Sequence, residues 1–527
     1  MGVLANLRES APIRTPHAHC ARRYRSKRAK GTALLAALAT VFLVVLIGTA
    51  ILANTLQGLH LARHVREGTL AFNVAESGAE RAVRWLKDQP FPPPGTEAID
   101  PFGGAQAMGD GTYSVTVTPD IGNGGFTLKK YKIVASGSIY GRTEQVELIL
   151  RQQSFGRYAY FTNREVSSIG GGRIWFISAD KIRGPAHSNN VGGSNFQINW
   201  GASPGPIFED MVTGAGPRMD YAPTNPSTEP QFLQVYRTGS RGYQVGVDRI
   251  SLPSSSDVQK EAAWGGSSGF PGATGVYVPV NGGIYVVGDS TVQLQVDGSG
   301  NQVFRITQGV TITTVTVDLA ANERRVQVGL GPVTTVPGRG SGVLYSSNHI
   351  TSLSGTIANN RLSAESPPSI LTRSAYTIAT DVNGSRNITI TGPVRYASAP
   401  DANLPINDPV NLRPGTLGLI ARNVVLSSLC PTAMEVNAVV MAGSETVADG
   451  SFYVQNYNTK VPTGTLKLIG GLIQKDRGPV GTFSGGVIRT GYVKDYHYDP
   501  RLADYPPPYF PTTGNYDRVS WRRLADD

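Results

Sequence analysis

The residues best suited to chemistry lie near the C-terminus, where Tyr492, Tyr496 and Tyr498 are interleaved with Asp495, Asp499 and Arg501. Two carboxylates four residues apart are the raw material of glycoside cleavage, in which one carboxyl protonates the leaving oxygen and the other activates water or attacks. A row of tyrosines beside them would be a low-polarity surface binding site for a sugar. Asp289 and Asp297 flank a strand and form a second pair of this kind. The same residues also describe a loop in which Asp and Arg tie the chain over the end of stacked strands, an end that must be covered to hide unpaired backbone. That plainer account is preferred.

Gly265-Gly266-Ser267-Ser268-Gly269 fits the G-x-S-x-G spacing of a nucleophile elbow. The motif works only between a strand and a helix, where the serine is held on a strained turn. Phe270-Pro271-Gly272 follows, a poor helix start, so a Gly/Ser loop is expected. Of the histidines, His187, His349 and His497 are spread along the body without zinc-motif spacing, and His17 and His19 sit in a basic, Arg-rich leader. Each reads as a polar loop histidine. Cys20 and Cys430 are the two cysteines, too few for a disulfide framework, and Cys430 reads as a small buried apolar residue. No P-loop, dinucleotide fingerprint or kinase signature occurs. No catalytic residue, metal or cofactor is expected.

Charge narrows the classes further. The net charge is +10 with a pI near 9.4, which invites a nucleic-acid reading. Residues 1 to 31 hold eight Lys or Arg and one Glu, a net of +7, which leaves +3 for everything else. The basicity therefore belongs to the leader, where it orients a membrane segment with positive charge inside. Charged residues are 16% of the chain, well under the roughly 25% of an average globular protein, and Gly and Pro number 62 and 35. This is the composition of a turn-rich β protein outside the cytoplasm.

The element that must position everything is the stretch Lys30 to Leu86. No formally charged residue lies between Lys30 and Arg63, long enough to cross a bilayer as a helix of about 20 residues. The continuation keeps Phe72, Ala75, Ala79, Ala82, Val83 and Leu86 at spacings that place them on one helix face. Glu80 and Arg84, acid first, suit an i,i+4 pair. Pro90 and the Pro92-Pro93-Pro94-Gly95 run stop the helix. Alternating segments from Tyr113, Tyr131 and Glu144, with turns at Asn123-Gly124-Gly125 and Tyr140-Gly141, predict a small antiparallel sheet that covers the apolar face. From Phe155 short strands alternate with Gly, Asn and Ser corners. An irregular right-handed β-solenoid is favoured, with a β-sandwich as the alternative.

Three features of the N-terminus carry a family resemblance: a basic leader ending in Lys30-Gly31, small residues Thr32 and Ala33 opening the apolar run, and the segment AESGAERA at 75–82. They resemble the start of type IV pilins and pseudopilins, in particular minor pilins of the pilus-assembly type. The resemblance implies cleavage between Gly31 and Thr32 by a prepilin peptidase, with the apolar helix retained. It implies helix packing through Ala36, Phe72, Ala75, Ala79, Val83 and Leu86. Ala36 stands at the fifth mature position, where major pilins usually carry glutamate, and Thr32 at the first, where an aromatic residue is usual. Both departures point to a minor or tip subunit. GLIARNVVL (418–426), MEVNAVVMAG (434–443), LIGGLIQKDRGPVG (468–481) and GYVKDYHYDPRL (491–502), with GPAHSNN (184–190), resemble an uncharacterised domain family that follows pilin-like N-termini in bacterial pilus-assembly proteins.

The expected organisation is a leader (1–31), a transmembrane and amphipathic helix (32–90), a small pilin-like sheet (91–152), a β-rich domain (153–511) and a tail (512–527). The expected function is a structural minor subunit at the tip, or one that primes assembly, of a type IV pilus or related secretion filament. It would be anchored once in the bacterial inner membrane, with the C-terminal domain outside the cytoplasm and, after assembly, on the filament or cell surface. Its partners would be prepilin peptidase, other pilins and a polysaccharide or surface ligand used in adhesion. The alternative is a membrane-anchored β-solenoid that binds or cleaves extracellular polysaccharide.

Overall fold

The structure is a computed structural model that describes residues 32–89, 93, 95–120, 128–177, 180–193, 195–201, 205–359, 373–398, 400, 415–484 and 487–524. The leader with Gly31 and the Asn123-Gly124-Gly125 turn lie outside the described residues. One helix, α1 (Thr32–Asp88), is followed by a large part built mainly of strands. The chain divides into two compact units, residues 1–70 and 71–527.

Four strands follow α1 in antiparallel order: β1 (Gln106–Met108), β2 (Gly111–Pro119), β3 (Lys130–Ile139) and β4 (Arg142–Ser154). Side chains alternate across a strand, and here Tyr113, Val115, Val117, Tyr131, Ile133, Ala135, Val146, Leu148 and Leu150 turn to one face. The last 18 residues of α1, from Ala71, lie in the same unit and bury Val74, Ala75, Ala79, Ala82, Val83 and Leu86 against that face. The segment expected to be a tail is instead a strand, Thr512–Leu524, paired antiparallel with β4. Residues 155 to 511 are therefore an insertion between the fourth and fifth strands of this sheet. Their two ends meet where the Phe155 amide donates to the Pro511 carbonyl at 3.1 Å.

Within the insertion, successive passes of the chain stack in parallel along three ladders, the second of which joins Ser290–Val296, Ile350–Ile357, Ile388–Tyr396, Val424–Leu426 and Phe452–Val454 with register shifts between its first three strands. One row of the first ladder reads Ile284, Leu344, Ile378, Leu419, Val440, Leu472, then Tyr160, Ala186 and Val212. All nine belong to one core cluster. A row of the third ladder reads Val394, Val436, Leu468, Tyr496, Ile182 and Phe208, and all are in the same cluster. The stacking order differs from the sequence order. Passes from 284 to 477 follow one another, and the pass at 160 then stacks on the pass at 472 as though it came next.

That permuted order requires the chain to return from its last short strand, Tyr243–Val245, to Ile284 at the far end of the ladder. It does so along the outer face of the first ladder. Ile250, Leu252, Ala262 and Ala263 pack there on Tyr285, Tyr345, Ala379, Ile420 and Met441. The Ser256 hydroxyl donates to the Thr380 carbonyl at 2.9 Å, and the Leu252 amide donates to Glu445 at 3.2 Å. Leu502 and Phe510 of the segment leading to the final strand cover more of the same face. With both faces buried, the ladder strands are nearly continuous in apolar residues, as parallel strands covered on both sides should be.

Corners between the first and second ladders are held by side chains that cap backbone amides one pass away. Asp289 accepts from the His349 amide (3.1 Å), His349 Nδ1 from the Asn387 amide (3.1 Å), Asn387 Oδ1 from the Asn423 amide (3.2 Å) and Asn423 Oδ1 from the Ser451 amide (3.0 Å). Such caps satisfy amides at bends that no ladder bond reaches.

Candidate assembly helix and its supporting sheet

The first half of α1 carries its apolar side chains in the open. Leu34, Val41, Phe42, Ile51 and Leu61 are among those more than half exposed. By length and composition this helix can cross a membrane. Three threonines turn inward on the helix itself: the hydroxyls of Thr40, Thr49 and Thr55 donate to the carbonyls of Ala36, Leu46 and Ile51 at 3.0, 2.9 and 2.8 Å. In lipid or in an apolar helix bundle no water is present to take those bonds, so self-satisfaction is what such a segment needs. Ala36 is exposed, and Thr32 is the first described residue.

From Ala71 the helix changes character. Its buried face is made of small residues, which let it sit directly on the strand backbone. A Cβ added to Gly137 of β3 would lie 2.3 Å from the Ala71 carbonyl oxygen and 2.3 Å from the Ala75 amide nitrogen. Gly78 gives the same access to Tyr113, whose ring carbon would be 2.8 Å from an added Cβ. The Tyr113 hydroxyl accepts from Arg81 at 2.7 Å, which fixes the ring under the helix. After the helix, the Tyr131 hydroxyl and Lys129 ammonium donate to the Pro93 carbonyl at 3.1 and 2.8 Å. Burial pushes the Tyr131 phenol above its ordinary range.

The final strand completes the grip. Trp521 meets Phe72 edge to face at 5.9 Å, and Tyr516 meets Tyr131 likewise at 5.7 Å. Arg518 binds Glu80 at 2.6 Å and Arg522 binds Glu147 at 2.8 Å, while Arg523 pairs with Glu144. The pair expected between Glu80 and Arg84 does not form, because Arg518 takes Glu80 and Asp88 takes Arg84 at 2.8 Å. Of the packing residues read from periodicity, Ala75, Ala79, Val83 and Leu86 are buried, and Phe72 is half-buried beside Trp521. Ala71, Val74 and Gly78 are buried as well and were missed. A face of small residues is wider than the apolar stripe suggests, and glycine carries no apolar signal.

The C-terminal tyrosines and acids are not a surface ledge. Tyr492, Tyr496, Asp499 and Arg501 are at most 2% exposed. Tyr496 is a rung of the core row described above, and the Tyr492 hydroxyl donates to the Pro431 carbonyl at 2.7 Å. Asp499 and Arg501 form a buried two-point pair at 2.9 and 2.6 Å. The Asp/Arg-tied segment thus exists, but it covers the side of the first ladder instead of an end. Tyr498 is half-buried against Gly184. Asp495 keeps partial exposure; it bonds His497 at 3.0 Å, and this bond holds its carboxyl below the usual range. Register sets it in a row of alternating sign, Glu435, Lys467, Asp495, Lys181, across four passes.

The other candidates make contacts within the fold. Asp297 accepts from the Ser299 and Asn301 amides in a turn. Gly265 ends the helix Asp257–Trp264 in the left-handed region at φ 84°, so a helix and not a strand precedes Ser267. His187 is buried between Thr213 (2.8 Å) and Asn189 (3.0 Å), and Cys430 is buried. Among the described residues no group of three or more His, Cys, Asp or Glu is arranged to hold a metal.

Residues 112–216 match the model of a family described as a domain of unknown function, DUF4900. The matched stretch begins in β2 and ends just beyond the strand Val212–Gly214, so it joins the small sheet to the first passes of the insertion. No curated protein matches the chain. Among solved structures, the chain is similar to the crystal structure of the competence-associated pilin ComZ from Thermus thermophilus, at 13% identity and a TM-score of 0.29, over 87% of this chain and 98% of that one.

Proposed function

We propose that this chain is a minor, pilin-like subunit of a type IV pilus or related secretion filament, acting at the tip or in priming assembly, and that it has no catalytic role. The observation that carries this reading is the division of α1. One half is apolar and exposed, with threonine hydroxyls bonded to its own backbone, while the other is locked to a sheet through small residues. A helix of this kind anchors in the inner membrane and then packs among the helices of neighbouring subunits. The basic leader ending in Gly31 supports processing by prepilin peptidase before Thr32.

Dimensions favour the tip. Ten strands stack along the first ladder, from Ile284–Val287 to Tyr243–Val245. At about 4.8 Å per step they span roughly 43 Å, against roughly 10–12 Å for a helix with its side chains. An insertion that long does not fit beside every helix of a close-packed bundle, so few copies are expected. Ala36 lacks the carboxylate that would neutralise a neighbour's amine inside the bundle, where an unpaired charge is costly. Surface adhesion through the inserted domain belongs to the same reading; for polysaccharide cleavage, burial removes Tyr492, Tyr496, Asp499 and Arg501 from the surface.

Mass spectrometry of the membrane-extracted protein should find Thr32 at the N-terminus, and Gly31→Leu should retain the leader. A mature end near Ala53 would be the work of a conventional signal peptidase and would overturn the reading. Gold-labelled antibody against the inserted domain should mark filament ends; labelling along the whole shaft would contradict the tip position.

A further inference from the structure

One interior row of the third ladder changes character along its length. Two residues before the row of Val436, Leu468 and Tyr496, register aligns Met434, Leu466 and Lys494. Continuing the pairing of Asp495 with Lys181 back by one residue brings Asp180 beside Lys494. An amine and a carboxyl thus occupy neighbouring rungs of a row that begins in the apolar core, at Met434 and Leu466. Lys494 Nζ donates to Asp180 Oδ2 at 2.8 Å, with side chains 7% and 0% exposed. The same nitrogen lies 5.6 Å from the centre of the Phe176 ring.

As an ion pair this contact is poorly completed. Lys460 and Lys475, also buried, each donate to two backbone carbonyls, those of Ser428 and Cys430 and those of Ser444 and Glu445. Among the described residues, Lys494 Nζ donates to Asp180 alone. Asp180 Oδ2 also accepts from the Ile177 amide at 3.1 Å, whereas Oδ1 is buried with no partner among the described residues. A buried ion pair offsets its desolvation only when further hydrogen bonds satisfy both groups. Arg477, 3.7 Å over the same Phe176 ring, is bound to Glu165. Burial lowers the Lys494 pKa; Asp180 opposes the fall and the Arg477 charge adds to it. The result favours the neutral amine, the form that is a nucleophile. The carboxyl is held in place, since the Asp180 amide donates to the Ile177 carbonyl at 3.0 Å and its carbonyl accepts from the Ile207 amide at 3.0 Å.

We infer that the folded chain joins Lys494 and Asp180 by an amide bond between their side chains. A proton passes from Nζ to the carboxyl, and the neutral nitrogen then attacks Cγ. The bond from Cγ to one carboxyl oxygen breaks, and that oxygen leaves as water, carrying the first proton and a second from the attacking nitrogen. Ammonium plus carboxylate gives amide plus water, with no oxidant, reductant or co-reactant. A hydrogen bond of 2.8 Å leaves the nitrogen within about 1 Å of the roughly 3–3.5 Å separation of a near-attack geometry. Departure of Oδ1 removes the atom without a partner, keeps Oδ2 under the Ile177 amide and eliminates two buried charges. The linked residues are 314 apart in sequence, so the bond closes most of the insertion into a covalent ring. Tension applied at Phe155 and Pro511 then runs through the bond and bypasses the passes between 181 and 493. The inference rests on this pair and does not depend on the filament reading.

Mass spectrometry of the full chain, purified in detergent, tests this directly. The intact protein should be lighter than its sequence by one water. After trypsin, the peptides 174–181 and 490–501 should be recovered joined, with no cut after Lys494. The joined peptide separates this bond from loss of water at an Asp-Gly or Asn-Gly step, which links nothing. Lys494→Arg keeps the charge but offers no amine; it should restore the full mass and slow the boiled chain in a denaturing gel, where the covalent ring makes the native sequence more compact. Asp180→Ala should do the same. The peptide map of the native sequence needs no variant, so it decides even if both variants misfold. Recovery of 174–181 unlinked and of a free cut after Lys494 from the folded native protein would overturn the inference, as would a joined peptide that persists in Lys494→Arg.

Discussion

The helix–sheet module and the inserted stack solve the same problem, burial of apolar strands, with opposite treatment of charge. In the module the tightest contact is backbone on backbone, Gly137 against Ala71 and Ala75, and each charged pair keeps its arginine in water: Arg518, Arg522 and Arg523 are more than half exposed beside Glu80, Glu147 and Glu144. In the stack, charges go inside. Arg477 binds Glu165 at 2.9 Å, Lys494 binds Asp180 at 2.8 Å and Arg501 binds Asp499, with side chains at most 7% exposed. An antiparallel sheet with one solvated face can turn its charges outward. A ladder covered on both faces has no such side, and a parallel stack of similar apolar passes is prone to register slip. Arg477–Glu165 and Arg164–Asp476 cross the seam at which the pass at 472 meets the pass at 160, partners 312 residues apart in sequence. No short connection aligns that seam; the charge pairs do.

The comparison breaks most severely if the backbone approach is blocked. Gly137→Leu would place a side chain where the helix backbone already sits, and neither backbone can yield. The expected loss exceeds about 4 kcal/mol, in the range reserved for core disruption. It should appear as protease cleavage within 71–88 while the stack keeps its own protection. Unchanged resistance of that segment would mean that the helix is held by its side chains instead.

Next in size is the seam. Arg477→Ala leaves Glu165 buried without its cation, and Arg477 also lies over the Phe176 ring at 3.7 Å. Removing one partner of a buried pair costs about 3–5 kcal/mol. Arg477→Met combined with Glu165→Gln should recover much of that loss, because no charge is then stranded. Urea unfolding of the variants reads both effects. If the double variant is as unstable as the single, the pair does more than neutralise itself.

His187 sharpens the contrast through acid. Burial lowers its pKa from the ordinary 6.5 to about 4, so the unfolded chain takes up this proton first as pH falls. Stability from the neutral imidazole is complete above pH 6.5, declines through the window and is gone near pH 4, a total of about 3 kcal/mol. Unfolding midpoints measured between pH 7 and 4 should show this slope, and His187→Gln should flatten it. The module has no buried histidine among its described residues, so its own slope over the same window should differ.

Much of this was legible in the sequence, and the failures have physical causes. Period 3.6 in α1 and period 2 in Tyr113, Tyr131 and Glu144 segments marked the module, because one face of each element is wet. Thr512–Leu524 read as a tail because register shifts between Thr512 and Tyr516, and between Arg518 and Ser520, blur its alternation. Its partner, β4, is also more than 350 residues away. The polar corners at Asn387 and Asn423 were visible, but the order of the passes was not, since parallel stacking leaves no local trace of which pass neighbours which. Tyr492 and Tyr496 misled for a related reason: alternation in a strand says that two faces differ without saying which is covered.

The smallest effect is expected where the two regions look most alike on paper. Glu80–Arg518 is a two-point carboxylate–guanidinium pair at 2.6 and 2.7 Å, as short as the buried pairs of the stack. Its side chains, however, are 54% and 53% exposed. Water already solvates both groups in the unfolded chain and largely in the folded one, so little desolvation is at stake and salt screens what attraction remains. Glu80→Gln should therefore cost well under about 1 kcal/mol, a cost that vanishes in 1 M salt. Arg518→Ala should cost slightly more, by the packing of its aliphatic stem. Thermal unfolding in low and high salt separates the two contributions. A loss for Glu80→Gln as large as that for Arg477→Ala would mean that exposure does not govern the worth of these pairs, and the contrast between module and stack would fail.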